Sequence, residues 1–195
     1  MHLRLITGPT AEPITLDDAK QQCRVDGEHD DVYITSLVMA ARTYIETVTR
    51  RALLTQTWEM VLDYWPWTQG VLMTKPPLQS IVSVKYTNAA NAVQTWNSAN
   101  YFAATASEPG RLFRAKSVSW PVDELWPAEA IVIRYVCGWG NPEDVPEPIK
   151  QAMRLLIAHW YENREAVMIS PGLTGGVSVP MGFDALLATY RVRVF

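Results

Sequence analysis

The sequence predicts an α+β fold, in which N- and C-terminal helices form a helical core and a mostly antiparallel β subdomain is inserted between them. Two long segments at opposite ends of the chain repeat their apolar residues with the i, i+3, i+4, i+7 spacing of amphipathic helices. Between them the period falls to two, with proline and glycine breaks. We expect three parts: residues 1–53 begin the core, residues 54–142 form the β subdomain, and residues 143–195 complete the core.

The C-terminal long helix is predicted over residues 145–165. Pro146 and Pro148 fall in its first turn, where the backbone N–H groups have no helical partner and proline is tolerated. The residues that share one apolar face are Ile149, Ala152, Met153, Leu156, Ile157 and Trp160. Such a face requires a partner helix with a matching apolar stripe. A Gly/Pro-rich loop, a short helix near residues 181–191 and a tail follow it.

The partner is predicted over residues 30–52. Its apolar face comprises Ile34, Leu37, Val38, Ala41, Ile45, Val48 and Ala52. A shorter helix precedes it, beginning at Thr15, whose hydroxyl can cap the first turn while Asp18 returns the bond as a capping box. We therefore expect three helices from the two ends of the chain to pack together.

The middle of the chain is predicted to be an antiparallel β unit. Trp58, Met60 and Leu62 fall on one side of an imperfect alternation, with a mainly polar set that includes Val61 on the other. Residues 81–86 are rich in β-branched side chains. The stretch NAANAV is typical of a hairpin turn, and YFAATA, GRLFRA and AIVIRYVCG are three further short strands. Short strands with turn signals between them indicate a compact β subdomain.

Composition excludes several classes of function. The 195 residues are 48% apolar and 19% charged, with a net charge of −3, as in folded rather than disordered chains. The sequence contains no block of lysine and arginine residues, so nothing in it indicates tight binding to nucleic-acid phosphates. The N-terminus lacks a signal-peptide pattern, and no apolar run approaches the roughly 20 residues of a membrane span. We expect a cytoplasmically made protein without membrane contact.

A search for chemistry finds no catalytic residues, no metal site and no cofactor motif. His159 and Glu162 lie at i, i+3, but a structural metal site needs about four ligands. Gly138-Trp139-Gly140 lacks the third glycine of a dinucleotide site, and Ser178 lacks the flanking glycines of a nucleophile elbow. The two cysteines are expected to be thiols in a reducing cytosol rather than a disulfide.

Eight tryptophans are many for this length. About half are expected to fill the core of a small β unit and the rest to serve contacts, because tryptophan is enriched where large areas are buried. A Trp-rich carbohydrate-binding module is the alternative function that these rings allow. A small hydrolase ranks third, since no nucleophile–base pair is visible.

An ordered set of motifs resembles the head–tail connector, or adaptor, proteins of tailed phages, which are also found in gene transfer agents. The matching segments, in order, are Thr15 to Lys20, Arg24 to Asp26, Thr49 to Leu53, Thr55 to Trp58, Lys75 to Tyr86, Tyr135 to Gly140, VPEPIKQAMRLLIAHWYENREA and GFDALLATYR. Together they cover nearly the whole chain, although no single motif is specific.

The resemblance implies a structural virion protein and not an enzyme. It implies a ring, expected to be a dodecamer, that docks under the portal protein at the head–tail junction and is assembled in the bacterial cytoplasm. Such a ring extends the DNA channel, attaches the next tail or stopper component, and lets double-stranded DNA pass without specific binding. A near-neutral chain suits that channel, because strong phosphate contacts would hold the DNA back.

Two segments are candidate assembly sites. Residues 189–195 alternate apolar and basic side chains, and we expect this tail to bind the portal by adding a strand; a frayed tail or an intrachain edge strand is the alternative. The Gly/Pro-rich loop over residues 168–180 is expected to be disordered until it meets a tail-side partner or the neighbouring subunit. The candidate residues are Tyr190, Arg191, Val192, Arg193, Val194 and Phe195 in the tail, and Met168, Ile169, Ser170, Pro171, Gly172, Leu173, Thr174, Gly175 and Gly176 in the loop.

Overall fold

The protein has the predicted mixed composition of helices and antiparallel strands. The computed structural model describes residues 1–164 and 181–192, and this part of the chain forms four α-helices and eight β-strands. The chain divides into two compact units. The β unit comprises Met1–Thr10 and Leu54–Gly140, and the helical unit comprises Ala11–Leu53 and Asn141–Phe195.

The helical unit is built around its C-terminal long helix. The helices are α1 (Leu16–Cys23), α2 (Asp31–Thr49), α3 (Glu147–Glu162) and α4 (Met181–Leu187). α3 packs against each of the other three. At the start of α1 the capping box is present as predicted: Asp18 N–H donates to the Thr15 hydroxyl at 3.1 Å, and Thr15 N–H donates to the Asp18 carboxylate at 3.1 Å.

The apolar faces of the two long helices form the core of this unit. On α3 the buried residues are Ile149, Ala152, Met153, Leu156 and Ile157, and on α2 they include Ile34, Leu37, Val38, Ala41 and Ile45. Trp160 and Val48, at the ends of the predicted stripes, are only half-buried. Each large apolar side chain that is fully buried contributes about 1.5–3 kcal/mol relative to exposure. Periodicity therefore identified the buried faces correctly.

α2 ends earlier than its apolar pattern predicts. The last helical residue is Thr49 rather than Ala52, because Arg50 adopts the left-handed conformation with φ 59°. The chain leaves the helix axis there, and Ala52 is buried outside the helix. Side-chain spacing cannot reveal such a change of direction.

The β unit contains two antiparallel sheets. The strands are β1 (His2–Thr7), β2 (Gln56–Leu62), β3 (Gly70–Leu72), β4 (Leu78–Thr87), β5 (Val93–Trp96), β6 (Tyr101–Ala104), β7 (Arg111–Arg114) and β8 (Ile131–Cys137). One sheet has the order β1-β2-β8-β4-β5 and the other the order β3-β7-β6. The predicted hairpin turn joins β4 to β5. The N-terminal residues, which carried no strand prediction, form the edge strand β1.

The two central strands differ in how well alternation describes them. In β8, which was predicted as a strand, the buried residues alternate: Ile131, Ile133, Tyr135 and Cys137. In β2 Glu59 is also buried, at 7% exposure. Its carboxylate lies 2.6 Å from the Arg134 guanidinium on β8 and 3.7 Å from Arg4 on β1. A cross-strand charge row therefore covers the face of β2 that simple alternation assigns to solvent.

Gly138 is the most constrained glycine in the described structure of the β unit. Its φ is +109°, and a Cβ placed there would lie 2.0 Å from the Leu54 carbonyl oxygen. The clash is with backbone, which cannot move aside as the tip of a flexible side chain could. Gly138 N–H also donates to the Pro77 carbonyl at 2.9 Å, which fixes the approach of the two segments.

We predict that Gly138→Ala destabilises the β unit by about 2 kcal/mol or more, because it combines a strained φ with a backbone clash. Urea unfolding followed by tryptophan fluorescence measures this, since seven of the eight tryptophans belong to the β unit. Gly182→Ala is the matched control: no atom lies within 4 Å of its added Cβ, and it lies in α4. That control should be neutral or slightly stabilising. Equal unfolding midpoints for the wild type and Gly138→Ala would contradict the prediction.

Candidate assembly surfaces

The C-terminal end of α2 is a hub of charged and backbone hydrogen bonds. Glu46 is buried, with 7% exposure, and its carboxylate accepts the Leu53 N–H at 2.9 Å and the Arg42 guanidinium at 3.3 Å. Arg42 also donates to Glu12 at 2.8 Å. A buried carboxylate is tolerated only with such partners. The hub fixes the path of the chain as it leaves the helix.

The described part of the tail is held by the same end of α2. Arg51 Nε donates to the Tyr190 carbonyl at 2.6 Å, and Val192 N–H donates to the Thr49 carbonyl at 3.0 Å. Upstream, Phe183 and Leu187 of α4 are buried at 2% and 0% exposure. The tail is therefore anchored to the helical unit as far as Val192.

The predicted strand does not begin at the start of this tail. Tyr190 lies in a turn, and its N–H donates to the Leu187 carbonyl at 3.0 Å, so the last turn of α4 takes the backbone group that a strand would need. Arg191 and Val192 follow without regular structure. The remaining candidate residues, Arg193, Val194 and Phe195, lie outside the described residues, so tail binding to the portal stays a prediction.

A second network lies at the end of α3. The Tyr161 hydroxyl donates to the Asp30 carboxylate at 2.5 Å, and the Arg164 guanidinium donates to the same oxygen at 3.1 Å. Arg164 also lies 4.7 Å from the ring centroids of Tyr33 and Tyr161, as in cation–π contacts. Asp30 precedes α2 but makes no side-chain cap bond there, since its carboxylate serves this network instead.

This network depends on ionised Asp30. The Tyr161 hydroxyl lowers the pKa of the Asp30 carboxyl below its ordinary value, and Arg164 adds to that effect, although partial desolvation opposes it. A lowered folded-state pKa means that the stabilisation is present above the ordinary carboxyl pKa and is lost as the pH falls through the lowered value. Residues 168–176, the predicted assembly loop, follow this network in sequence and lie outside the described residues.

Sequence reasoning missed both networks. Arg42 and Glu46 have an i, i+4 spacing that predicts a surface ion pair, but nothing in the sequence indicates that Glu46 is buried. Asp30 and Tyr161 are 131 positions apart. Only the packing of α3 on α2 brings them together.

Three tryptophans of the β unit pack on one another. Trp65 and Trp120 are stacked with ring centroids 4.9 Å apart and planes 10° apart, and Trp96 lies 5.8 Å and 5.3 Å from them. The Arg114 guanidinium lies 5.4 Å from the Trp120 centroid. Because these rings cover one another, their faces are occupied by protein. Trp67, by contrast, is fully exposed.

Other candidate chemistry can be located within the described ranges. The described residues include no group of three or more His, Cys, Asp or Glu that could hold a metal ion. His159 contributes its backbone carbonyl, which accepts the Asn163 side-chain amide at 2.8 Å. Cys23 and Cys137 are thiols, as predicted. Among the described helices, none has the length and apolar character that a membrane crossing requires.

Comparison with known proteins identifies the family. The model of the family described as head completion protein matches residues 12–181. No curated protein sequence matches the chain. The sugar-binding alternative finds no support in these comparisons.

Solved structures with the same fold come from gene transfer agent particles. The chain is similar to a chain in the neck of an empty particle computed with C6 symmetry, with a TM-score of 0.78 and 22% identity. It is similar to a chain in the virion of a native particle, with a TM-score of 0.78 and 23% identity. A chain in the neck of a native particle computed with C12 symmetry gives 0.75 and 22%. Each match covers 100% of this chain and 98% of the other.

The family match spans most of the chain, and the whole-chain fold agrees with it. The predicted resemblance to phage and gene transfer agent connectors is thereby confirmed. The chain belongs to the head completion protein family, and it is a structural head–tail connector protein of a virion rather than an enzyme.

Proposed function

We propose that this protein forms a ring beneath the portal of a DNA-filled head, extends the DNA channel and attaches the next tail or stopper component. The observation that carries the proposal is the family match over residues 12–181. The proposed copy number is twelve, and assembly takes place in the bacterial cytoplasm. The helical unit serves as the structural core of each subunit, with residues 54–142 as its inserted β subdomain.

The ring is supported by the particles in which the fold is found. Two of the similar chains belong to necks computed with C6 and C12 symmetry. Rotational symmetry of this kind repeats one chain around an axis. Each copy then has two neighbours, and it contacts one of them with one surface and the other with a different surface. Twelve copies is compatible with both symmetries.

The proposed relation to DNA follows from charge. The chain carries 17 basic and 20 acidic residues and has a net charge of −3. A protein that neutralises many phosphates binds DNA tightly and with strong salt dependence. This composition supports a channel through which double-stranded DNA passes without specific binding.

We propose that the tail, residues 190–195, binds the portal by β-augmentation. Its base is fixed where Arg51 and Thr49 engage Tyr190 and Val192, which supports a defined point of departure from the helical unit. In this mode the backbone groups of an added strand bond to a sheet edge of the partner, while alternate side chains enter pockets.

Deleting residues 193–195 should weaken portal binding while leaving the fold intact. Loss of a few anchoring side chains typically costs about 2 kcal/mol or more, so we expect roughly thirtyfold weaker affinity. Titration of the purified portal protein measures this. A variant with Arg193→Lys keeps the charge and length and is the matched control. Undiminished affinity after the deletion would leave a frayed tail or an intrachain strand as the better account.

We also propose that the loop residues 168–176 contact the tail-side partner or the neighbouring subunit. Glycine-rich loops of this length between helices are commonly functional. Support comes from the anchoring on both sides: Arg164 is tied to Asp30 before the loop, and Phe183 is buried after it.

Replacing residues 168–176 by a shorter Gly/Ser linker should abolish complete tailed particles, with subunits still able to bind the portal. Electron microscopy of particles from complemented cells measures the tailed fraction. The control is Ala89→Ser with Ala90→Ser in the exposed β4–β5 turn, which should leave that fraction unchanged. A normal yield of tailed particles from the shortened loop would reject this role.

A further inference from the structure

The outer face of α2 carries no charge. All eight of its exposed residues are uncharged: Val32, Met39 and Tyr44 are large and apolar, and the other five are serine, threonine or alanine. The exposed faces of α1 and α3 differ from that of α2 because they do carry charge: α1 exposes Asp17 and α3 exposes Glu147. Solvated helix faces normally carry charged residues, so the outer face of α2 is not built for permanent exposure to water.

The charged residues of α2 are all directed to intramolecular partners. Asp31 pairs with Lys20 at 2.7 Å, and Arg42 lies between Glu12 and Glu46. None of these charges therefore remains for the outer face. Interface cores show the same depletion of charged side chains.

Three of the hydroxyl groups on this face are also satisfied internally. Ser36 donates to the Tyr33 carbonyl at 2.6 Å, Thr43 to the Met39 carbonyl at 2.9 Å, and Thr47 to the Thr43 carbonyl at 2.8 Å. Their hydrogens thus point back to the helix. Removing water from these three residues leaves none of their hydroxyl donors without a partner, so their burial has a small polar cost.

The large apolar residues of this face are exposed, and two of them, Met39 and Tyr44, line a groove together with Trp160. Val32, Met39 and Tyr44 are 87%, 50% and 39% exposed, and they are the only large apolar side chains so exposed in the described part of the helical unit. The Tyr44 ring is held by Trp160 at 6.0 Å and Phe183 at 5.8 Å. A rigid aromatic ring beside a flexible methionine is suited to receiving an apolar surface.

We infer that the outer face of α2 is the surface by which one copy of this chain contacts the next in the ring. This inference rests on the proposed function. A second copy is the occupant because the similar neck chains belong to assemblies with C6 and C12 symmetry, in which each copy has a neighbour. In such a ring the face meets a different surface of the next copy rather than itself.

The size of the face agrees with a contact that forms only during assembly. From Val32 to Thr47 the helix rises about 22 Å, so a strip one helix wide covers on the order of 200 Å². A stable two-protein interface needs about 800 Å² per partner. This face alone cannot hold a dimer in solution, but it can close a ring whose members are already concentrated on a portal.

Met39→Glu tests the inference, because it places a carboxylate at the centre of the face. Native mass spectrometry of the protein with its portal measures ring formation against concentration. Burying an unpaired charge is costly, so we expect the midpoint for ring formation to rise by roughly tenfold or more. Gln151→Glu, an exposed α3 position, is the matched control and should form rings as the wild type does.

The remaining outcomes separate this inference from the proposed function. If the wild type forms no ring on its portal, the proposed function fails. If the wild type forms rings and Met39→Glu forms them equally well, only the role of α2 is overturned. Ala40→Glu, an exposed helical position, replaces Met39→Glu if that variant melts at a lower temperature. A photo-crosslinker at residue 39 should link to a second copy in assembled particles, and links only to portal or tail protein would overturn the inference.

Discussion

The turn after α2 is the constraint on which most of the helical unit depends. Arg50 in the left-handed conformation ends the helix, and the buried Glu46 carboxylate accepts the Leu53 N–H, so the chain leaves in one fixed direction. The same turn offers the Thr49 carbonyl and the Arg51 guanidinium to the tail. One short segment thus fixes the exit from α2 and the position of the last described residues.

Within the helical unit, α2 keeps its charged side chains away from its outer face. Asp31 pairs with Lys20 of α1, Arg42 with Glu12, and Glu46 with Arg42 of the same helix, which leaves the outer face of α2 uncharged. The two properties have one origin, because a charge used inside the bundle is not available to solvate its surface.

The β unit obtains its stability in a different way. Trp65 and Trp120 stack on one another, and alternate side chains of the central strand β8 are buried. Gly138 permits a close approach to the Leu54 carbonyl that any side chain would prevent. Three of the seven tryptophans of this unit cover one another, so their faces are less available to a sugar. The rings of Trp65, Trp96 and Trp120 therefore serve packing, whereas those of Trp67, Phe102 and Trp126 are exposed.

By itself, the sequence determined the identity of the elements. Helical spacing placed Ile149 and Met153 on the buried face of α3, the short apolar run AIVIRYVCG predicted β8, and the Thr15–Asp18 pair marked the start of α1. Each of these signals is local. The ordered motifs likewise determined the family.

Tertiary structure decided what depends on residues far apart in the chain. Asp30 meets Tyr161, Arg51 meets Tyr190, and the strand expected at Tyr190 is replaced by a turn because its N–H bonds to Leu187. The sequence also did not predict that the outer face of α2 is uncharged. The hydrophobic period of the helix shows which side is buried but not which partners its charged residues have. Local spacing reports the geometry of one element, whereas the partners of a charge are fixed only when elements pack.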